Sequence, residues 1–258
     1  MFLFYFQNNF TFNPNKIQLG AFSFFFSVIV TAQLPSYQAT ILKEFDNSVG
    51  IENTPLYSGV ESLTEYRLAN DEYHPYYVSS DFVVGSVFYN NAFFPEVNLK
   101  LNVYEDELLT KIKHELSRGV LILTKSKIDR FYILSKEFTF LAFAENGTEF
   151  EGYCEVLFES KNVMLLKKNN KKRYQIFREG SVFYEFKNVK SDYILKFLNR
   201  YYLIYKPNDF KTILPSFKDE FKLYFNKRLY KTNKDSHLIS LASKMNNFYS
   251  KNKTIPIK

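Results

Sequence analysis

One cysteine, three histidines, eight glycines and no tryptophan occur among the 258 residues. Cys154 alone cannot close an intramolecular disulfide, and it rules out a metal site built from paired thiolates. His74, His114 and His237 show no ligand spacing and read as ordinary surface histidines. With so few glycines there is no phosphate-binding loop or dinucleotide fingerprint, and no Gly-x-Ser-x-Gly elbow is present. Neither a metal nor a cofactor is expected. The longest apolar run, Leu19 to Val30, is about a dozen residues, short of the roughly 20 a spanning helix needs.

That run reads instead as the core of a signal peptide. Residues 1 to 15 carry no charged side chain, Lys16 supplies a positive charge before the run, and Val30-Thr31-Ala32 fits the small-residue cleavage rule. Residues 1–32 are therefore expected to be removed, with no transmembrane span after cleavage and export to the periplasm or cell surface. The mature chain opens with an irregular arm over 33–76, holding Pro35, Gly50, Pro55 and Gly59. Within it Val60 to Leu68 has helix-compatible spacing, and Asn70 to Tyr77 reads as a loop before a strand over Tyr77 to Val84.

From 77 to 206 the period is two. Val97, Leu99, Leu101 and Val103 alternate with Asn98, Lys100 and Asn102, the pattern of a half-buried strand. Gly85 to Tyr89 precedes it across an Asn90-Asn91 turn, and Leu108 to Lys113 returns beside it. Further short aromatic or β-branched runs follow at Val120 to Thr124, Ile128 to Ile133, Phe138 to Phe143, Tyr153 to Glu159, Val163 to Lys168, Tyr174 to Arg178, Val182 to Phe186 and Tyr201 to Lys206. Asn146-Gly147 is the strongest hairpin signal, and Asn169-Asn170 the next. Gly85-Ser86-Val87-Phe88-Tyr89 recurs at Gly180 to Tyr184, which reads as two similar strand starts rather than a duplication, because the residues downstream differ.

After Pro207 the period lengthens. Phe217, Phe221, Tyr224, Phe225 and Leu229 form one helical stripe with Ser216 as cap, and Leu238, Leu241, Ala242, Met245, Phe248 and Tyr249 form a second with Asp235 as cap. The expected fold is α+β and mainly β: a large antiparallel meander, barrel or half-barrel-like, closed by a C-terminal αα-hairpin over 207–250 and a disordered tail at 251–258.

Few residues suggest chemistry. Asp71-Glu72-x-His74 gathers acid and imidazole in one loop without a nucleophile. Glu105-Asp106-Glu107 lacks the calcium-loop pattern and reads as a solvated hairpin tip. Lys167, Lys168, Lys171, Lys172 and Arg173 concentrate part of the formal charge of +7 and form the candidate anion-binding stretch. Solvated lysines protecting a strand edge are the simpler account of it. No nucleic-acid motif accompanies them, and no nucleic-acid partner is expected. Abundant Phe and Tyr, 29 and 20, follow from AT-rich coding as readily as from an aromatic binding surface.

Asn53-Thr54-Pro55-Leu56-Tyr57-Ser58-Gly59, Gly85-Ser86-Val87 with Tyr89, Leu99 to Leu108, the Lys-Lys and Lys-Lys-Arg turn, the Tyr201-Tyr202 strand and the closing helices together resemble secreted proteins of unknown function from AT-rich, Bacteroidota-like gram-negative bacteria. The resemblance implies export and supplies no activity. The expectation is a non-enzymatic envelope protein that binds a partner or an apolar ligand, at its sharpest a lipid or lipoprotein carrier, with Val97, Leu99, Leu101 and Val103 lining the ligand cavity. The alternatives are a hydrolase of unrecognised type, with Asp71, Glu72 or His74 converging in a cleft, and a purely structural surface protein.

Overall fold

The computed structural model describes residues 54–62, 66–111, 119–145 and 148–252. The predicted leader, the predicted arm up to residue 53, His114, the Asn146-Gly147 turn signal and the residues from 253 lie outside the described residues. Within them the strands are β1 (Val60–Glu61), β2 (Val83–Tyr89), β3 (Ala92–Asn102), β4 (Glu107–Lys111), β5 (Val120–Ile122), β6 (Ile128–Ile133), β7 (Lys136–Glu145), β8 (Thr148–Glu159), β9 (Val163–Lys168), β10 (Lys171–Arg178), β11 (Ser181–Asn188), β12 (Asp192–Phe197) and β13 (Arg200–Leu203). Eleven form one antiparallel sheet in the order β1-β5-β4-β3-β2-β6-β7-β8-β9-β12-β13, while β10 and β11 pair only with each other. The sheet is not closed, so of the two expected forms the structure takes the open one.

Tight turns set the register. Asn90 and Asn91 both take left-handed backbone, φ 52° and 62°, and bring Tyr89 opposite Ala92. Leu134 and Ser135 do the same between Ile133 and Lys136, although neither residue type signals such a turn. Gly85 lies within β2, where a side chain would collide with the Tyr132 carbonyl, whereas Gly180 is in the turn before β11. The two Gly-Ser-Val-Phe-Tyr segments thus enter their strands differently. Val60–Glu61 is extended and pairs with β5, so the helix-compatible spacing that began there does not form its helix at that end.

Period-two burial makes one face of the sheet the main core. Val97, Leu99, Leu101, Leu108, Phe131, Ile133 and Phe138 point inward together. Farther along the same face, Val163, Leu165, Tyr193, Leu195 and Phe197 pack under the C-terminal helices. Cys154 is buried on the opposite face with Leu141, Leu166 and Ile194, and burial pushes its thiol up to about 12.

Among the described residues four helices stand where a pair was expected: α1 (Asp209–Ile213), α2 (Lys218–Tyr224), α3 (Lys227–Thr232) and α4 (Lys234–Lys251). The first predicted helix breaks at Phe225, which is extended, because Asn226 accepts the Leu229 N–H at 2.9 Å and starts α3. Ser216 lies in a 3₁₀ turn and makes no cap. Asn233, not Asp235, caps α4 by accepting the Ser236 N–H at 3.1 Å. Asp235 faces the sheet instead, bonding Lys167 at 2.6 Å and Tyr193 at 2.5 Å. His237 is 1% exposed between Phe225 and Tyr230 with its Nε2 unpartnered, which corrects its reading as a surface histidine.

The β3–β4 turn is also not a solvated tip. Asp106, at φ 58°, reaches across to β8 and β9 although β2, β6 and β7 lie between them in the sheet. Its carboxylate pairs with Lys168, takes Lys125 at 3.1 Å and accepts the Tyr153 N–H at 3.0 Å. That N–H lies beyond Glu155, the last residue of β8 to pair with β9 on this side. Gly152 permits the approach: its φ of 144° suits glycine, and a side chain there would strike Lys168 and Asp106.

Asp106→Ala would leave the Lys168 ammonium, 12% exposed, beside an unmet backbone N–H. We expect a loss of about 3 kcal/mol in urea unfolding, with Asp106→Asn intermediate. Burial lowers the pKa of His237, so the folded state resists protonation while the unfolded chain accepts it. Stability is expected to fall as pH drops below 6.5, and His237→Leu should flatten that dependence in a series of urea midpoints.

Candidate functional site

The site forms where the chain leaves the sheet. Lys168 pairs with Asp192 of β12, while Lys171 pairs with Asn188 across the β10–β11 hairpin. Asn169-Asn170 is therefore a corner between two sheets, which corrects its reading as a hairpin turn. The hairpin folds back onto the arm: Leu68 bridges Tyr184 in parallel, the Phe186 N–H donates to the Tyr73 carbonyl at 2.8 Å, and Arg173 covers the rings of Tyr104 and Tyr184. The arm then joins the sheet, with the Tyr77 N–H on the Leu101 carbonyl at 2.9 Å and the Val103 N–H on the Pro75 carbonyl at 3.0 Å.

Between these contacts lies a cleft of about 480 Å³. Glu72, His74, Tyr77 and Val78 of the arm form one wall, Val103 one end, and the β9–β10 corner with the β11–β12 link the other wall. Glu155, 4% exposed, anchors it from below: one carboxylate oxygen accepts from the Tyr77 hydroxyl at 3.2 Å and the Asn169 amide at 3.3 Å, while the other pairs with Lys136 at 3.1 Å. Asn170 donates its amide to Asp192 at 2.8 Å and to the Lys190 carbonyl at 3.2 Å. Burial, and then the Glu155 charge, raise the Tyr77 phenol above its ordinary range, so it stays a donor.

His74 is 8% exposed, which corrects its surface reading. Its Nδ1 accepts the Tyr76 N–H at 3.2 Å, leaving the proton of the neutral ring on Nε2. Burial lowers its pKa, and the nearby Lys171 charge lowers it further. Lys171 donates from Nζ to the His74 carbonyl at 2.7 Å, and desolvation depresses its pKa to about 8.

The five basic residues do not act as a patch. Lys167 is paired with Asp235, Lys168 with Asp106, Lys172 sits over Tyr174, and Arg173 lies on tyrosine rings. Lys171 alone of the five points its charge into the cleft without a carboxylate partner among the described residues. Of the predicted apolar lining, Val97, Leu99, Leu101 and Val103 all belong to the packed core, and only Val103 reaches the cleft. The space beside Leu99 and Leu101 is about 10 Å³, room for roughly one water. Glu72 and His74 do share one cleft, while Asp71 stays in the exposed turn outside its lining. Glu155 was missed, yet its inward phase with Tyr153 could have marked it.

No protein-family model, curated protein or solved structure matches the chain. The reading of the cleft therefore rests on its own chemistry.

Because the unfolded chain keeps the Lys171 proton that the folded state releases, stability gains a contribution as pH rises from about 8 to 10.5. Wild type should gain on Lys171→Gln in urea midpoint across that window and run parallel to it below.

Proposed function

We propose that this is an exported binding protein that holds a small anionic ligand on Lys171. Export rests on the Leu19 to Val30 run and the Val30-Thr31-Ala32 cleavage pattern. The anionic ligand rests on one observation: an ammonium partly withdrawn from water in a cleft, its depressed pKa owed to desolvation alone. A bound anion would supply the missing partner, and His74, whose carbonyl Lys171 already reaches across the cleft, carries a second donor in Nε2–H. Relative to the apolar ligand expected from the alternation at Val97 to Val103, this reading moves the ligand from the core to the edge of the sheet. The convergence of Glu72, His74 and Lys171 also favours a hydrolase as second reading, separable by turnover of ester and phosphoester substrates.

Calorimetric titration of the purified protein with acetate and inorganic phosphate at pH 7 tests the binding reading. Wild type should bind at least one of them. Lys171→Gln should weaken it by roughly tenfold or more, the size of a lost charge-assisted bond, and Lys172→Gln should leave it unchanged. Equal binding by Lys171→Gln, or no binding of any carboxylate or phosphate anion by wild type, would overturn the assignment.

A further inference from the structure

The amides that wall the cleft constrain what surrounds the anionic group. Asn170 commits its side-chain nitrogen to Asp192 and to the Lys190 carbonyl, and Asn169 commits one hydrogen of its own to Glu155. The groups these two side chains leave open are chiefly their carbonyl oxygens, which accept hydrogen bonds. Glu72 adds a carboxylate, another acceptor, to the opposite wall. The donors, Lys171 Nζ and His74 Nε2–H, are gathered on the His74 side. A ligand that fits has one acceptor-rich anionic group and several hydroxyl donors.

Phosphate fits this wall poorly. At pH 7 the ion carries at most two P–OH donors, and its remaining, charged oxygens would face carbonyl oxygens and the Glu72 carboxylate with one lysine for compensation. A simple carboxylate would satisfy Lys171 but leave most of a cleft of about 480 Å³ unfilled. Tyr77, Val78, Val103 and Val189 give the cleft apolar surface of the kind the C–H face of a sugar ring packs on.

We propose that the ligand is an acidic sugar of the hexuronate type, its carboxylate on Lys171 and His74 and its ring hydroxyls donating to Asn169, Asn170 and Glu72. This rests on the anion reading above and narrows it. Holding Asn169 and Asn170 through Glu155 and Asp192 fixes the acceptors before the ligand arrives, so selectivity comes from hydroxyl position as well as charge.

Calorimetry with glucuronate, glucose, acetate, inorganic phosphate and alanine at pH 7 tests it. Glucuronate should bind at least tenfold more tightly than acetate or phosphate, glucose should not bind measurably, and Lys171→Gln should abolish the glucuronate signal while Lys172→Gln retains it. Glucuronate binding no better than acetate, or tighter binding of phosphate or alanine, would overturn the sugar assignment and leave the anion site standing. Failure of glucuronate, acetate and phosphate alike would overturn both.

Discussion

The Asp106 carboxylate ties the two halves of the sheet together. It sits on a turn between β3 and β4, yet its partners are the Lys168 ammonium and the Tyr153 N–H on β9 and β8. An open antiparallel sheet has no covalent or ladder constraint between distant strands, so its curl must come from contacts across the inner face. Apolar packing supplies most of that contact, but it is not directional. A charge-assisted bond to one N–H fixes where the turn lands, against Lys168, the last residue of β9.

The departure creates the cleft. Where β9 stops pairing with β8, the chain swings out into β10–β11 and returns as β12, and the arm fills the gap by bonding to β11 on one side and to β3 on the other. Two sheets meeting at a corner leave backbone and side-chain polar groups that neither ladder can satisfy. Asn169 and Asn170 are held there by Glu155 and Asp192. Lys171, the first residue of the hairpin, lines the cleft with no carboxylate partner among the described residues.

Most strand positions were legible because burial on one face of a sheet forces alternation, which Val97 to Leu101 obey along β3 until Asn102, read as wet, is buried beside them; β12 was not read, and the expected strand Tyr77 to Val84 is strand only from Val83. The turn between Leu134 and Ser135 was not legible, since neighbouring strands hold its left-handed backbone against the residues' own preference. The first helical stripe failed for a related reason. The spacing of Phe217, Phe221, Tyr224, Phe225 and Leu229 fits one helix, and Asn226, a strong capping residue, restarts it midway. Lys167 to Arg173 looked like one basic patch because linear charge density ignores pleat and pairing. Strand alternation sends Lys167 and Lys168 to opposite faces, and each meets its own carboxylate.

The sequence by itself determined a mainly antiparallel sheet with a helical C-terminal region, because residue periodicity is a local property that burial on one face imposes on any such chain. Only the tertiary structure decided that the sheet stays open, that Asp106 turns inward and that Lys171, out of a basic run, is desolvated in a cleft without a carboxylate partner among the described residues. Those outcomes depend on which distant groups meet, and the free energy of a charge is set by its partners and its access to water rather than by its neighbours along the chain.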